Sequence, residues 1–293
     1  MDTVILKGKD VSSRIKENLA IQISNLKLKG IIPCLAAIIV GKNPASKLYV
    51  NSKAKTFKNM NCDSEIFTLD SDIDEKDLLF LIEKINNDTK FHGILVQLPL
   101  PKHLNEEKIL EKINPEKDVD GFHPKNKGYL MQGNPSFIPC TPYGCLKILE
   151  YYNIDTNGKN IVVIGRSNIV GKPIASLLSQ NTKYGNGTVT LCHSRTKNLS
   201  DFTKKADIIV AAVGIPHLIN KDMIKDGVHI IDVGINRIDD KSKDKGYRVV
   251  GDVDFDNVLE KVSSITPVPG GVGVMTVTML LSNTVKAAFN QIK

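Results

Sequence analysis

The chain has 293 residues, 41% hydrophobic and 24% charged, which is apolar material enough for one large or two ordinary domains and too much for a disordered chain. Its formal net charge is +7, but the lysines are scattered, tryptophan is absent and aromatics are only 5%. No nucleic-acid partner is therefore expected, and small acidic ligands account for the sign equally well. Met1-Asp2-Thr3 opens without a basic-then-apolar leader, and no apolar run approaches the ~18 residues of a membrane span, so a cytoplasmic protein with no membrane partner is expected.

Cys34, Cys62, Cys140, Cys145 and Cys192 are an odd number and form no C-x-x-C pair, which argues against a disulfide frame or structural zinc; buried thiols are the plainer reading. The histidines show neither H-x-x-x-H nor H-E-x-x-H spacing, so no metal site is expected. G-x-S-x-G and Walker patterns are absent as well.

Strand-like and helix-like segments alternate almost from end to end, as in an α/β fold with parallel sheets. The spacing predicts helix over 11–27, strand over 35–40, helix over 44–60 and an extended segment over 65–69. Helix over 76–86, strand over 93–98 and helix over 106–113 follow. Pro, Gly and Asn cluster in 121–142, where a domain boundary is placed, with Thr141 as cap and Pro142 as first residue of a linking helix to about residue 152. Strands are then expected at 161–165, 188–192, 208–213, 229–233 and near 264–266; such near-continuous apolar strands call for sheets covered on both faces. The charged run 239–245 reads as a solvated turn, and a last helix over 275–292 is expected to pack back on the first domain. The domains are thus 1–140, joined by 275–293, and 141–274.

In the first domain, Asn43 and Pro44 supply a helix cap and a first-turn proline. Val50, Ala54 and Phe57 form one apolar stripe at helical spacing, with Ser46 and Lys53 within or beside it and Tyr49 on the same flank. Lys53 is thus aimed inward. Two readings stand: a snorkelling stem with its ammonium in water, or a buried amine whose pKa falls from about 10.4 toward neutrality, where it exchanges protons. Tyr49 offers its ring face to a flat substrate. Gln97 lies at the C-terminal end of a buried strand, where α/β sheets bind ligands, and its amide needs a partner. In PEKDVDG, residues 115–121, Asp118 reads equally well as an Asx-type turn, whereas the Asp120 carboxylate can accept two N–H bonds from a guanidine-like heterocycle edge.

In the second domain, IVVIGRSNIVGKP at 161–173 reads as strand, tight turn and helix, with Gly165, Arg166 and Ser167 in the turn. A turn of this kind lets backbone N–H groups and a helix N-terminus face a phosphate. The dinucleotide fingerprint G-x-G-x-x-G would need glycine where Ser167 stands, so an ordinary strand-to-helix turn is an equal reading. NAD sites carry an acidic side chain near the end of the second strand for the ribose 2′-hydroxyl, whereas here that strand ends Cys192-His193-Ser194-Arg195. Arg166, Ser194 and Arg195 suit a 2′-phosphate and hence NADP; two ordinary surface arginines are the alternative.

Beyond these local signals, Tyr49-Val-Asn-Ser-Lys53, VQLPLP (96–101), PEKDVDG, FIPCTPYG (137–144), GRSNIVGKP (165–173), CHSRT (192–196), DVGIN (232–236), GDVD (251–254) and PVPGGVGVMT (267–276) occur in this order and spacing. Over essentially the whole chain the set resembles the bifunctional methylenetetrahydrofolate dehydrogenase/cyclohydrolase family. The resemblance implies NADP-dependent oxidation of 5,10-methylenetetrahydrofolate to the methenyl form, then hydrolysis to 10-formyltetrahydrofolate. It implies two α/β domains flanking a cleft, the C-terminal one a Rossmann-type dinucleotide-binding domain, in a homodimer serving one-carbon metabolism for purine, methionine and histidine synthesis. By motif match Lys53 is the central catalytic residue, Gln97 its neighbour, Tyr49 the ring that stacks on the folate and Asp120 the pterin anchor. Gly165, Arg166 and Ser167 match the cofactor turn, Ser194 and Arg195 the 2′-phosphate side, and Ile235 a backbone contact to the cofactor. One departure is Val274, where the family pattern carries proline; a fixed φ is lost, an N–H gained, and a change of stiffness in that loop is expected. The competing functions are a dehydrogenase without hydrolysis, a non-catalytic folate- or nucleotide-binding subunit and a basic nucleic-acid-binding protein.

Overall fold

The computed structural model describes residues 3–244 and 246–292, and of residues 44–48 only the backbone; Met1 and Asp2, on which the absence of a leader is read, the Ser46 side chain and Lys245 lie outside the described set. The chain begins β1 (Val4–Ile5), α1 (Gly8–Leu28), β2 (Cys34–Val40), α2 (Pro44–Asn59), β3 (Asp63–Leu69), α3 (Glu75–Asn87), β4 (Gly93–Val96), α4 (Glu106–Lys112), α5 (Pro124–Met131) and α6 (Cys140–Tyr151). It continues β5 (Asn160–Ile164), α7 (Gly171–Ser179), β6 (Thr188–Cys192), α8 (Leu199–Thr203), β7 (Ile208–Ala211) and β8 (His229–Asp232). Last come β9 (Asn236–Asp239), β10 (Tyr247–Val250), α9 (Phe255–Val258), β11 (Ser264–Ile265) and α10 (Val272–Asn290). Two compact units result: Arg14–Cys140 with Val277–Lys293, and Met1–Ser13 with Thr141–Thr276.

In the first unit a parallel sheet runs β3-β2-β4. All seven residues of β2, Cys-Leu-Ala-Ala-Ile-Ile-Val, are buried, because the central strand of a covered parallel sheet meets side chains on both faces. On α3, Leu78, Ile82 and Ile85 recur at helical spacing and pack into the core with Ile38, Val96 and Ile109. Each such side chain contributes about 1.5–3 kcal/mol by leaving water. The strand expected over 93–98 ends at Val96: Gln97 still donates its backbone N–H to Ile38 O at 2.9 Å, but Pro99 has no N–H with which to extend the ladder. From α10, the buried Asn283 donates its amide to Val119 O at 2.8 Å and Ile138 O at 3.0 Å, which ties the last helix to the segment around Asp120.

The second unit carries a six-stranded parallel sheet in the order β6-β5-β7-β8-β11-β1. Its order reverses at β5, with β6 on one side and β7 on the other, so the carboxyl ends of β5 and β7 form the switch point at which a doubly wound, Rossmann-type sheet binds its ligand.

Several expectations are corrected. Residues 1–13 group with the second unit, not with 14–140, because Val4 and Ile5 pair with Ser264 and Ile265 of β11. Thr141 is no cap: α6 begins at Cys140, and the Thr141 hydroxyl bonds that of Thr276 at 3.0 Å. Residues 240–244 of the charged run do lie in a turn, but it joins an antiparallel ribbon that was not expected, β9 with β10, whose four-residue strands carry too short an alternation to stand out. Within the supposed boundary lies α5, capped by His123, whose Nδ1 accepts from Lys125 N at 3.0 Å, with Pro124 as first residue. Residues 272–290 are long and apolar enough to cross a membrane by length and composition, so the statement that no run approaches that length fails; 61% of the window is buried inside the fold. Val274 lies in the first turn of α10, where a proline is tolerated too. All five cysteines are buried free thiols.

Candidate active site and dinucleotide pocket

The first unit gathers Lys53, Gln97, Tyr49 and Asp120. On α2, Val50 and Phe57 are fully buried and fix the rotation of the helix, which carries Lys53 inward to 4% exposure. The amine donates to Gln97 Oε1 at 3.1 Å and stands 4.4 Å from the centre of the Tyr49 ring. The snorkelling reading fails, since the residue as a whole is 4% exposed and its amine is held by Gln97 Oε1 instead of extending into solvent. Gln97 keeps its orientation by donating Nε2 to Leu98 O at 2.7 Å. Burial lowers the Lys53 pKa from its ordinary value, with the charges of Asp120 and then Cys140 acting the other way.

Asp118 and Asp120 separate cleanly. Asp118 is buried and accepts from Phe122 N at 3.1 Å, His123 N at 2.8 Å and Asn126 Nδ2 at 2.8 Å, so it organises the turn into α5. Asp120 retains part of its surface, and burial pushes its carboxyl up to about 6 against the nearby Lys53 charge. Cys140 hydrogen-bonds Asp120 and also donates to Val119 O at 3.4 Å. The sequence reading missed this thiol as a neighbour of the site. Its place in FIPCTPYG was the available signal.

In the second unit a cavity of about 560 Å³ opens at the switch point, lined by Gly165, Arg166, Ser167, Ser194, Ala212 and Val213 among others. Gly165 has φ +115°, and a Cβ there would lie 2.1 Å from Ala212 O, so only glycine permits this approach of the two strand ends. The Ser167 hydroxyl oxygen accepts from Val170 N at 3.1 Å and Gly171 N at 3.3 Å, which ties the turn to the start of α7. Among the described residues no carboxylate lines the cavity, and Arg166 and Ser194 do. Arg195 and Ile235, both exposed and both expected at the cofactor, are not among the lining residues. Arg195 instead turns its backbone N–H onto His193 Nδ1 at 3.1 Å. Also missed were Asp232 and Asp252, buried carboxylates that hold the loops beside this cavity. Their signal was an aspartate beside glycine in each of DVGIN and GDVD.

Two family models match: the catalytic domain of tetrahydrofolate dehydrogenase/cyclohydrolase at residues 6–120 and its NAD(P)-binding domain at residues 139–292. The bifunctional protein FolD of Acetivibrio thermocellus is 51% identical over 293 residues, covering 100% of this chain and 99% of the relative. That of Bacillus subtilis is 49% identical over 288 residues, 98% of each. Among solved structures, the bifunctional FolD methylenetetrahydrofolate dehydrogenase/cyclohydrolase of Campylobacter jejuni superposes with a TM-score of 0.93 at 51% identity, covering 99% of this chain and 100% of that one. The Trypanosoma brucei methylenetetrahydrofolate dehydrogenase-cyclohydrolase, solved with NADP cofactor and an inhibitor, gives 0.94 at 37% identity over 100% of this chain and 99% of its own. The chain belongs to the tetrahydrofolate dehydrogenase/cyclohydrolase family.

Proposed function

We propose that the chain oxidises 5,10-methylenetetrahydrofolate to the 5,10-methenyl form with NADP and hydrolyses that product to 10-formyltetrahydrofolate, with Lys53 as the proton carrier of the second step. The observation that carries this reading is the buried Lys53 amine, 3.1 Å from Gln97 Oε1 and over the Tyr49 ring, with Asp120 as its charged neighbour. In the unit spanning 14–140 and 277–293, Tyr49 stacks on the folate and the Asp120 carboxylate accepts from the edge of the pterin. A water adds to the cationic methenyl carbon. Lys53, its ammonium disfavoured by burial, takes one proton of that water and returns it to the ring nitrogen as the bond from that nitrogen to the carbon breaks; the hydroxyl left on the carbon releases the water's second proton to solvent as it becomes the formyl carbonyl on the other nitrogen. Gln97 Oε1 accepts from the amine and holds it at one place through both transfers.

The residues of the second unit fit NADP. Arg166 and Ser194 line the cavity and can donate to a 2′-phosphate, Gly165 lets the ends of β5 and β7 close up beside it, and no carboxylate is among the described residues lining it. When bound, NADP supplies the hydride acceptor; the protein supplies orientation. Arg195 and Ile235 are kept as outer contacts of the cofactor on the strength of their motifs. The family resemblance also supports a cytoplasmic homodimer acting in tetrahydrofolate interconversion that feeds purine, methionine and histidine synthesis.

The test is a spectrophotometric assay with methylenetetrahydrofolate and NADP or NAD in turn, beside the decay of methenyltetrahydrofolate in Lys53→Met. NADP reduction, with hydrolysis lost in a folded Lys53→Met, is the expected result. Reduction of NAD alone overturns the role of Arg166 and Ser194, and normal hydrolysis in the variant removes Lys53 from the mechanism.

A further inference from the structure

The loop after β7 turns three successive backbone N–H groups toward one point, and the chain fills that point with its own carboxylate. Asp252 Oδ2 accepts from Val213 N at 2.6 Å and from Gly214 N at 3.0 Å. Its Oδ1 accepts from Ile215 N at 3.0 Å and from Asn236 Nδ2 at 2.9 Å. Converging N–H groups of this kind make an anion-binding nest of the sort that elsewhere takes phosphate. Here Asp252 is wholly buried and occupies it, so phosphate recognition in the neighbouring cavity is left to Arg166, Ser194 and the turn after β5. Val213 and Ile215, two of the three donors, belong to the wall of that cavity.

Asp252 is in turn held by Asp232. Asp232 Oδ1 accepts from Asp252 N at 3.0 Å and Gly234 N at 2.9 Å, and Oδ2 accepts from Val253 N at 3.0 Å. The fit is reciprocal: a Cβ on Gly251 would lie 1.8 Å from Asp232 Oδ2, and one on Gly234 would lie 2.3 Å from Asp252 Oδ1. DVGIN and GDVD are therefore two halves of one clamp, each giving a carboxylate and the glycine that admits the other's.

We propose that Asp252 is a positioning residue for the dinucleotide: by filling the nest it fixes residues 213–215 as one wall of the NADP pocket, and Asn236 completes its coordination. The inference rests on reading this cavity as the NADP site. Removing the carboxylate leaves buried donors unpaired and the wall free to move, so the effect falls on cofactor binding. Hydrolysis of added methenyltetrahydrofolate, assayed without dinucleotide, is the internal control for an intact fold.

In Asp252→Ala, KM for NADP is expected to rise at least about tenfold, equivalent to about 1.4 kcal/mol, while hydrolysis stays within about twofold of the parent. Added acetate or formate, by re-entering the nest, is expected to lower that KM again. Should Asp252→Ala fail to fold, Asn236→Ala removes one donor and keeps the carboxylate, with a rise of about two- to fivefold expected. A parallel fall of both activities in the folded variants, or an unchanged KM for NADP in them, overturns the proposal. Arg166→Ala separates the two layers: if its KM for NADP rises while that of the Asp252 and Asn236 variants does not, this inference alone fails. If none of them responds, the assignment of the cavity fails with it.

Discussion

An amine at 4% exposure has lost most of its hydration, and the Lys53 site replaces that hydration with one amide oxygen and one aromatic face. Such a group is useful because it can be neutral. Arginine at the same place would keep a charge and a donor yet never release its proton, so Lys53→Arg separates proton exchange from mere electrostatics. Hydrolysis is expected to fall by about 10²–10⁴ in Lys53→Arg, the usual worth of a positioned acid-base group, measured as the decay of methenyltetrahydrofolate. A variant retaining a tenth or more of the parent rate would show that charge alone suffices. The inward aim of Lys53 was legible because helical spacing fixes which residues share a face with Val50 and Phe57. The turn role of Asp118 was legible as one of two readings, but the groups that take its oxygens were not, since they follow it in the fold. Only the fold shows that Asp118 spends its oxygens on Phe122, His123 and Asn126.

Among the elements, the strand, turn and helix from β5 to α7 came through because a β-branched run, a glycine and a polar turn each demand a distinct backbone. What the sequence left open was the division of work inside the turn. Ser167, expected at the cofactor, gives its oxygen to Val170 N and Gly171 N, and its hydroxyl hydrogen remains to be donated. Ser167→Ala should therefore cost about 1 kcal/mol of stability through the lost bonds from Val170 N and Gly171 N, read by urea unfolding. A variant as stable as the parent would return Ser167 to a purely ligand-facing role. By contrast, β9, β10 and α5 escaped notice for want of apolar contrast: the ribbon strands bury no residue completely, and α5 buries only Asn126 and Leu130. Elements stabilised by pairing and capping leave a faint periodic trace.

At the scale of the whole chain, sequence alternation revealed two α/β units, but long-range returns decide their limits: β1 joins β11, and α10 supplies Asn283 to the unit that begins at Arg14. Each unit also holds a carboxyl pushed up to about 6 by burial, Asp120 in one and Asp232 in the other. With the folded value above the ordinary 3.8, the folded chain keeps a proton that the unfolded chain has already released. The stability tied to Asp120 is thus complete below about pH 4 and is lost as pH rises to about 6, beyond which it is level. Burial lowers the pKa of His92 and of His229, which works in the opposite sense, and the partly exposed Glu75 and Glu83, held low by Lys108 and Lys112, oppose it weakly through solvent-screened pairs. A profile of the parent alone therefore mixes signs. Asp120→Asn removes one contribution and leaves the others. Relative to the parent, its stability should increase between pH 4 and 6.5 by roughly 1–2 kcal/mol, a figure reduced for the part of Asp120 that meets solvent, and then stay constant to pH 8. Urea unfolding of both chains at these pH values measures the difference directly. A difference that is flat with pH, or that shrinks as pH rises, would mean that Asp120 is ionised throughout and that Lys53 faces a full negative charge even in acid.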